Sequence, residues 1–316
     1  MSFLPQQCPV NTVTLARRKL FSFTDGTKSS VQMATDGTIR RVLLVRHGER
    51  MDSIDPEWFK WFGKQQSSNG NVPKILPPLA EPDKSIGLDG RSDPPLTVLG
   101  THIAELVGGY VAKSGFRINT VFCSPAFRCV MTAHHLLNGY AKVLSSEEPV
   151  DAKIKLEPGW YEWGFEQTVF VPAFLQGDNL AKLCGYNIDL QYKPIFDLQN
   201  LDPMETYTDF QERCKLVVKG MLEKCKGPPA PQIVCVTHAP CMDAFQHAKN
   251  APVREYNSWS KMIPLVPYLG MLMWEEIPEK GWCLSPPPVE SVCYSGNPTM
   301  DVQNYLNGFP LNGKTA

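Results

Sequence analysis

One stretch limits what this chain can fold into more than any other: Arg41-Val42-Leu43-Leu44-Val45-Arg46-His47-Gly48-Glu49-Arg50. Its β-branched and aliphatic run reads as a buried strand. The run stops at a cation, an imidazole and a glycine. Gly48 is expected to let the backbone turn sharply and approach a bound group. The strand would then bring His47 to a sheet edge between Arg46 and Arg50. Two guanidiniums supply planar, charge-assisted donors for phosphate oxygens, and an imidazole supplies a nucleophile. Alone, Arg46-His47-Gly48 is equally a polar strand end, so the weight falls on partners elsewhere in the chain.

Those partners come from later segments. Thr97 reads as the N-cap of a helix carrying Leu99, Ile103, Leu106 or Val107, and Tyr110, with Gly115 as its stop. Asn119–Cys123 reads as a strand. It runs into a helix through Leu137, with Ser124 as N-cap, Pro125 at the first helical position, and Arg128 early in the helix. Lys153–Leu156 is a short strand ahead of Glu157-Pro158-Gly159-Trp160-Tyr161-Glu162-Trp163. Residues 164–201 lack a period. Asp202-Pro203-Met204-Glu205 resembles a capping box for a helix with Phe210, Cys214, Val217, Met221 and Cys225 on one face, ended by Gly227-Pro228-Pro229. Gln232–Thr237 is a second apolar strand, ending in His238. Residues 239–249 suit a helix and Leu269–Glu275 a late strand, with everything from Pro286 onward read as surface wrapping.

Strands alternating with helices predict a three-layer α/β/α fold with a largely parallel sheet. Ligands in such sheets sit beyond the carboxyl ends of strands. His47, Arg128 and His238 each fall there, and that convergence is the main argument for a site. Of the 316 residues, 39–305 are expected to form this domain, with 1–38 and 306–316 as tails. The irregular segment from Met51 to Pro95, with Trp58, Phe59, Trp61 and Phe62, reads as a lid or binding loop, or equally as a satellite core.

Composition narrows the function. Hydrophobic residues make up 43% and the net charge is −1, so a globular core is expected and no nucleic-acid or anionic-membrane partner. The Met262 to Trp274 run is too short for a membrane span and is broken by Pro264 and Pro267. No apolar run follows Met1, so no secretory leader is expected. The ten cysteines contain no CxxC pair and read as free thiols in a cytoplasmic, reducing setting. Cys235, His238 and Cys241 at i, i+3, i+6 raise a metal site, but a strand running into a helix makes core thiols the better reading.

The chemistry these residues could perform is phosphomonoester hydrolysis. An unprotonated His47 attacks phosphorus in line. Arg46, Arg50 and Arg128, with a protonated His238, balance the phosphoryl oxygens. Glu162, expected between aromatics that raise its affinity for a proton, supplies the leaving group's proton and later activates water. No metal or cofactor is expected.

RHG after a strand, SPxxR ending at Arg128, EPGxxEW and a second strand-end histidine resemble the histidine phosphatase, or phosphoglycerate-mutase-like, superfamily. VLLVRHGERMD, CSPAFRCVMTAH, LEPGWYEW and Pro267–Gly270 (PYLG) are similar to the C-terminal phosphatase domain of Sts (TULA) proteins and to ecdysteroid-phosphate phosphatases. The resemblance implies a phosphohistidine on His47, phosphate-binding Arg46, Arg50 and Arg128, a second histidine at His238 and an acid at Glu162. Ala239 after His238, where the acid phosphatase branch has aspartate, argues against that branch. Pro240 stands where Sts-like segments usually have serine. The ubiquitin-binding and Src-homology modules of Sts proteins are not in this sequence, so recruitment through them is not expected.

A phosphoglycerate-type mutase and a non-hydrolytic phosphate-recognition protein are the competing readings, the first disfavoured by RHGER. A cysteine-dependent tyrosine phosphatase is excluded by the four residues between Cys123 and Arg128, where its phosphate loop has five. The expected partner is a phosphorylated substrate, an aromatic or lipophilic phosphoester such as phosphotyrosine protein or a steroid phosphate. A homodimer is left open.

Overall fold

The structure, a computed structural model, describes residues 39–56, 93–144, 152–163, 174–248, 255–294 and 297. The expected tails, and the aromatics between Trp58 and Phe62, lie outside the described residues. The core is a six-stranded sheet of β1 (Arg41–Arg46), β2 (Thr120–Cys123), β3 (Ile154–Leu156), β4 (Gln232–Thr237), β5 (Met271–Ile277) and β6 (Gly281–Ser285), in the order β3-β2-β4-β1-β5-β6. The first four in that order are parallel, whereas β5 runs antiparallel to β1, and β6 antiparallel to β5. β1 and β4 pair in register from Arg41 with Gln232 to Arg46 with Thr237. Both are continuous apolar runs because both of their faces are covered.

Helices α1 (Val98–Lys113) and α2 (Phe127–Ala141) cover one face. There, Leu43, Val45, Val121, Val234 and Val236 meet Ile103, Val107, Val130 and Leu136. The alternate residues Val42, Leu44, Phe122, Ile233 and Cys235 face Phe210, Cys214, Val217 and Met221 of α4 (Tyr207–Lys224) and Phe245 of α5 (Ala244–Ala248). Each strand thus splits its side chains between two cores with period two. Two shorter helices, α3 (Gly177–Cys184) and α6 (Tyr256–Ser260), complete the described α-helices. Among the described residues, no helix is long and apolar enough to cross a membrane.

Several local expectations shift. The Thr97 side chain accepts from the Gly100 amide and caps α1, as read, and Gly115 closes it at φ +82°. On the buried face, however, it is Val107 that points inward, while Leu106 and Tyr110 are exposed. α2 starts at Phe127 with Ala126, not Ser124, at its N-cap. The capping box of α4 is Thr206 with Asp209, four residues beyond the expected Asp202. α3 and β6 arise where no period was legible. The segment after Pro286 is not mere wrapping: Val292 and Asn297 are buried.

α1 and α2 touch backbone to backbone. A Cβ on Gly139 would fall 1.7 Å from the Glu105 carbonyl oxygen, and one on Gly108 would fall 1.9 Å from that of Leu136. A Cβ on neighbouring Gly109 would make only ordinary contacts, the nearest at 3.4 Å. Gly139→Ala should therefore destabilise the chain by about 1–3 kcal/mol through overpacking. Gly109→Ala should be neutral or stabilising by up to about 1 kcal/mol. Denaturant melts of the two variants measure this, and equal effects would contradict the close approach.

Candidate active site

The carboxyl ends of β1, β2 and β4 lie side by side. The His47 amide donates to the Thr237 carbonyl at 2.9 Å, and the Ser124 amide to that of Val236 at 3.0 Å. His47, Arg128 and His238 therefore converge as the strand pattern predicted. All three are buried. The His47 and His238 ring centroids are 5.3 Å apart, edge to face.

His47 is the best-defined member. Its Nδ1 sits 2.8 Å from the Gly48 carbonyl oxygen. A carbonyl only accepts, so Nδ1 carries the hydrogen and Nε2 keeps its lone pair. Burial holds the ring's pKa well below the usual histidine range, and the nearby Arg128, Arg46, His238 and Arg50 add to that depression. Gly48 is also constrained by its protein neighbours. A side chain there would press on the Gly100 carbonyl at 3.2 Å, at the start of α1, while its amide donates to Thr132 Oγ1 at 2.9 Å.

Arg128 joins the acids and the second histidine. It lies in the first turn of α2, and its Nη2 donates to Glu162 Oε2 at 2.7 Å and lies 3.3 Å from His238 Nδ1. Nη1 approaches Asp93 Oδ1 at 3.3 Å. Asp93 is buried, and both its oxygens accept from the Phe127 amide at 2.9 Å, so it caps α2 from outside the helix. Burial lifts its pKa to about 6, against the opposing pull of Arg128 and the Phe127 N–H.

Ser124, freed from capping, places its Oγ 2.9 Å from His238 Nε2. The His238 ring stands neutral rather than protonated, because burial and the surrounding Arg128, Arg50 and Arg46 push its pKa well down. Arg46 is fixed by the Val266 carbonyl, and its guanidinium carbon stands 4.4 Å from the Tyr268 ring centroid. Arg50 forks onto Asp52 at 2.9 and 2.6 Å. Arg46 Nε and Arg128 Nε are buried with no hydrogen-bond partner among the described residues.

Glu162 departs from its expectation. Its side chain is 30% exposed, paired to Arg128, with Oε2 3.6 Å from His238 Nδ1. The flanking aromatics pack on other rings. Tyr161 packs on Phe174 and His238, and Trp163 on Tyr207 and Trp259. Glu157 is spoken for: it accepts from the Gly159, Ile195 and Phe196 amides and the Tyr192 hydroxyl. The segment that presents Glu162 is pinned by Arg213, which donates to the Gly159 and Tyr161 carbonyls at 2.8 and 3.0 Å and forks onto buried Glu205. Cys235 and Cys241 face the core and not His238: Cys235 Sγ meets Met221 Sδ, and Cys241 Sγ the Trp160 carbonyl. Among the described residues no group of histidine, cysteine and carboxylate side chains could hold a metal ion.

Asp93 and Arg213 had no signal in the sequence as site residues, and Thr132 and Tyr268 lay in segments of family resemblance without being singled out. Each acts through a contact distant along the chain.

Known proteins resemble this chain in sequence and fold. Residues 80–170 match the histidine phosphatase superfamily (branch 1). Human ubiquitin-associated and SH3 domain-containing protein A is 33% identical over 288 residues, covering 89% of this chain and 42% of that protein. Drosophila melanogaster ecdysteroid-phosphate phosphatase is 30% identical, covering 83% of this chain and 34% of that protein. The crystal structure of the Bombyx mori ecdysone phosphate phosphatase in complex with tungstate superposes with a TM-score of 0.64 at 25% identity, covering 80% of this chain and 95% of that one. This chain belongs to the histidine phosphatase superfamily. It spans less than half the length of the curated relatives it matches.

The His47 geometry has a direct spectroscopic consequence. Long-range ¹H–¹⁵N spectra of the imidazoles should show His47 as the neutral Nδ1–H tautomer from pH 8 down through 6.5. A ring that gains its proton near 6.5 would contradict the environment described.

Proposed function

We propose that the chain hydrolyses phosphomonoesters through a phosphohistidine on His47. The observation that carries this is the tautomer of His47: a neutral ring whose Nε2 lone pair is kept free by the Nδ1–H to Gly48 bond, among three arginines. Nε2 attacks phosphorus as the P–O ester bond breaks, and protonated Glu162 gives its proton to the departing oxygen. Water then attacks the phosphohistidine, Glu162 takes a proton from it, the N–P bond breaks and phosphate leaves. Arg46, Arg50 and Arg128 offset the charge on the phosphoryl oxygens in both steps. The bound dianion opposes the arginine field at His238 and favours its protonation, which adds a fourth cationic group.

An aromatic or lipophilic ester is the proposed substrate class. The Tyr268 ring, 5.7 Å from that of His47, offers it an apolar wall, and relatives of this chain are named as phosphatases of ecdysteroid phosphates. A cytoplasmic setting is proposed from the thiols: the nine described cysteines are all free.

His47→Ala should lower turnover by about 10³-fold or more without lowering the melting temperature. Acid-quenched labelling with a ³²P-phosphoester should mark the wild type and leave the variant unmarked. Label retained on the variant would place the nucleophile elsewhere.

Glu162→Gln keeps the shape but has no proton to give. It should slow alkyl phosphates by about 10²–10⁴-fold, the usual range for general acid catalysis, and nitrophenyl phosphate far less. A uniform fall in kcat/KM across leaving groups would assign Glu162 to holding Arg128 alone.

A further inference from the structure

Beyond the apolar wall that Tyr268 offers the ester, the Pro267-Tyr268-Leu269-Gly270 turn has no part in the chemical steps above, yet it is held from three sides. Asn297 accepts from the Tyr268 amide at 2.7 Å through Oδ1, and its Nδ2 donates to the Tyr268 carbonyl at 3.2 Å and to that of Val292 at 2.9 Å. The Tyr268 hydroxyl meets Ser53 Oγ at 2.7 Å. Leu269, buried and branched, sits at φ +58°, a conformation such residues adopt only when the surroundings impose it. Its amide donates to the His47 carbonyl at 3.3 Å, and the Gly270 carbonyl accepts from the Arg46 amide at 3.0 Å. A strained turn is thus stitched directly to the catalytic strand end.

What this fixing accomplishes is visible at Arg46. Its guanidinium lies between the Val266 carbonyl and the face of Tyr268, 4.4 Å from the ring centroid, and no carboxylate pairs with it in an ion pair among the described residues. A half-buried guanidinium without a carboxylate partner draws on another source of negative potential, and the ring quadrupole supplies one without competing as an acceptor for the N–H groups.

We propose that Tyr268 is a positioning residue that acts through Arg46, its ring holding the guanidinium in place to bind a phosphoryl oxygen. The inference rests on the phosphatase reading. A carboxylate at this place would occupy the fork permanently, whereas a ring face leaves the donors to the substrate.

The test is a series at position 268 in the full chain: Tyr268→Phe, then phenylalanine analogues carrying one, two and three ring fluorines. These preserve shape while removing the quadrupole stepwise. Tungstate affinity by calorimetry, kcat/KM on nitrophenyl phosphate and melting temperature are measured on each. Tyr268→Phe should stay within about 3-fold of wild type. The trifluoro variant should lose about 5–30-fold in both tungstate affinity and kcat/KM, the range of a partly to fully desolvated cation–π contact, at an unchanged melting temperature. Equal affinities for all ring variants would reduce Tyr268 to packing and overturn the inference. So would a Tyr268→Phe loss as large as that of the trifluoro variant, which would assign the effect to the Ser53 contact. Wild type that neither binds tungstate nor turns over substrate would overturn the phosphate site itself, and this inference with it.

Discussion

Three guanidiniums gathered around a buried imidazole is the constraint from which most of this structure follows. Like charges in a low-dielectric setting repel, and each must be compensated without being neutralised outright. The chain uses a different device for each. Arg50, partly exposed, has Asp52. Arg128, fully buried, shares Asp93 and Glu162. Arg46 has a carbonyl and a ring face. Two of these devices, Asp93 and Tyr268, lie outside the strand–helix units that carry the arginines. The loops are therefore as necessary to the site as the sheet.

The sheet's part is alignment. Three neighbouring parallel strands end at one level because β1, β4 and β2 pair in register. A shift of one residue in any of them would exchange its two faces and turn its terminal residue away. The helix backbones close over one face at Gly108 and Gly139, and the Arg213–Glu205 pair fastens the other face to the segment bearing Glu162. Packing far from His47 thus sets the distance between the candidate nucleophile and the candidate acid.

How much could be read from the sequence depended on whether a signal was local. β1 and β4 were legible because strands buried on both faces are unbroken apolar runs, and their polar ends mark the edge where His47 and His238 emerge. The α1 cap was legible because Thr97 binds three residues ahead. The start of α2 was not, because its cap is the carboxylate of Asp93, 34 residues before Phe127. The same tertiary cap freed Ser124 to meet His238. Asp202 and Glu205 looked like a cap, but Glu205 is committed to Arg213, and Thr206 with Asp209 does the capping. β6 escaped notice because it is an edge strand without alternation, half covered along Trp282–Ser285. A second constraint on Gly48, the approach of the α1 backbone at Gly100, has no local signal either.

The two histidines hold their protons in opposite senses, and this separates their tasks. His47 donates from Nδ1 to a carbonyl, which leaves Nε2 as the free atom. His238 has Nε2 against the Ser124 hydroxyl and Nδ1 toward Arg128 Nη2. Arg128 can only donate, so His238 Nδ1 carries the lone pair and Nε2 the hydrogen. Both rings stand neutral for the same reason, burial beside arginines. An incoming phosphoryl dianion opposes that field at both rings, but they cannot respond alike. On the reading proposed here, the lone pair of His47 goes into the N–P bond and is unavailable to a proton. His238, whose lone pair forms no such bond, is the one free to become charged. A single stimulus, the substrate's own charge, then yields a nucleophile at one ring and a cation at the other. The difference comes from the groups each imidazole already holds: a backbone carbonyl for His47, a serine hydroxyl and a guanidinium for His238.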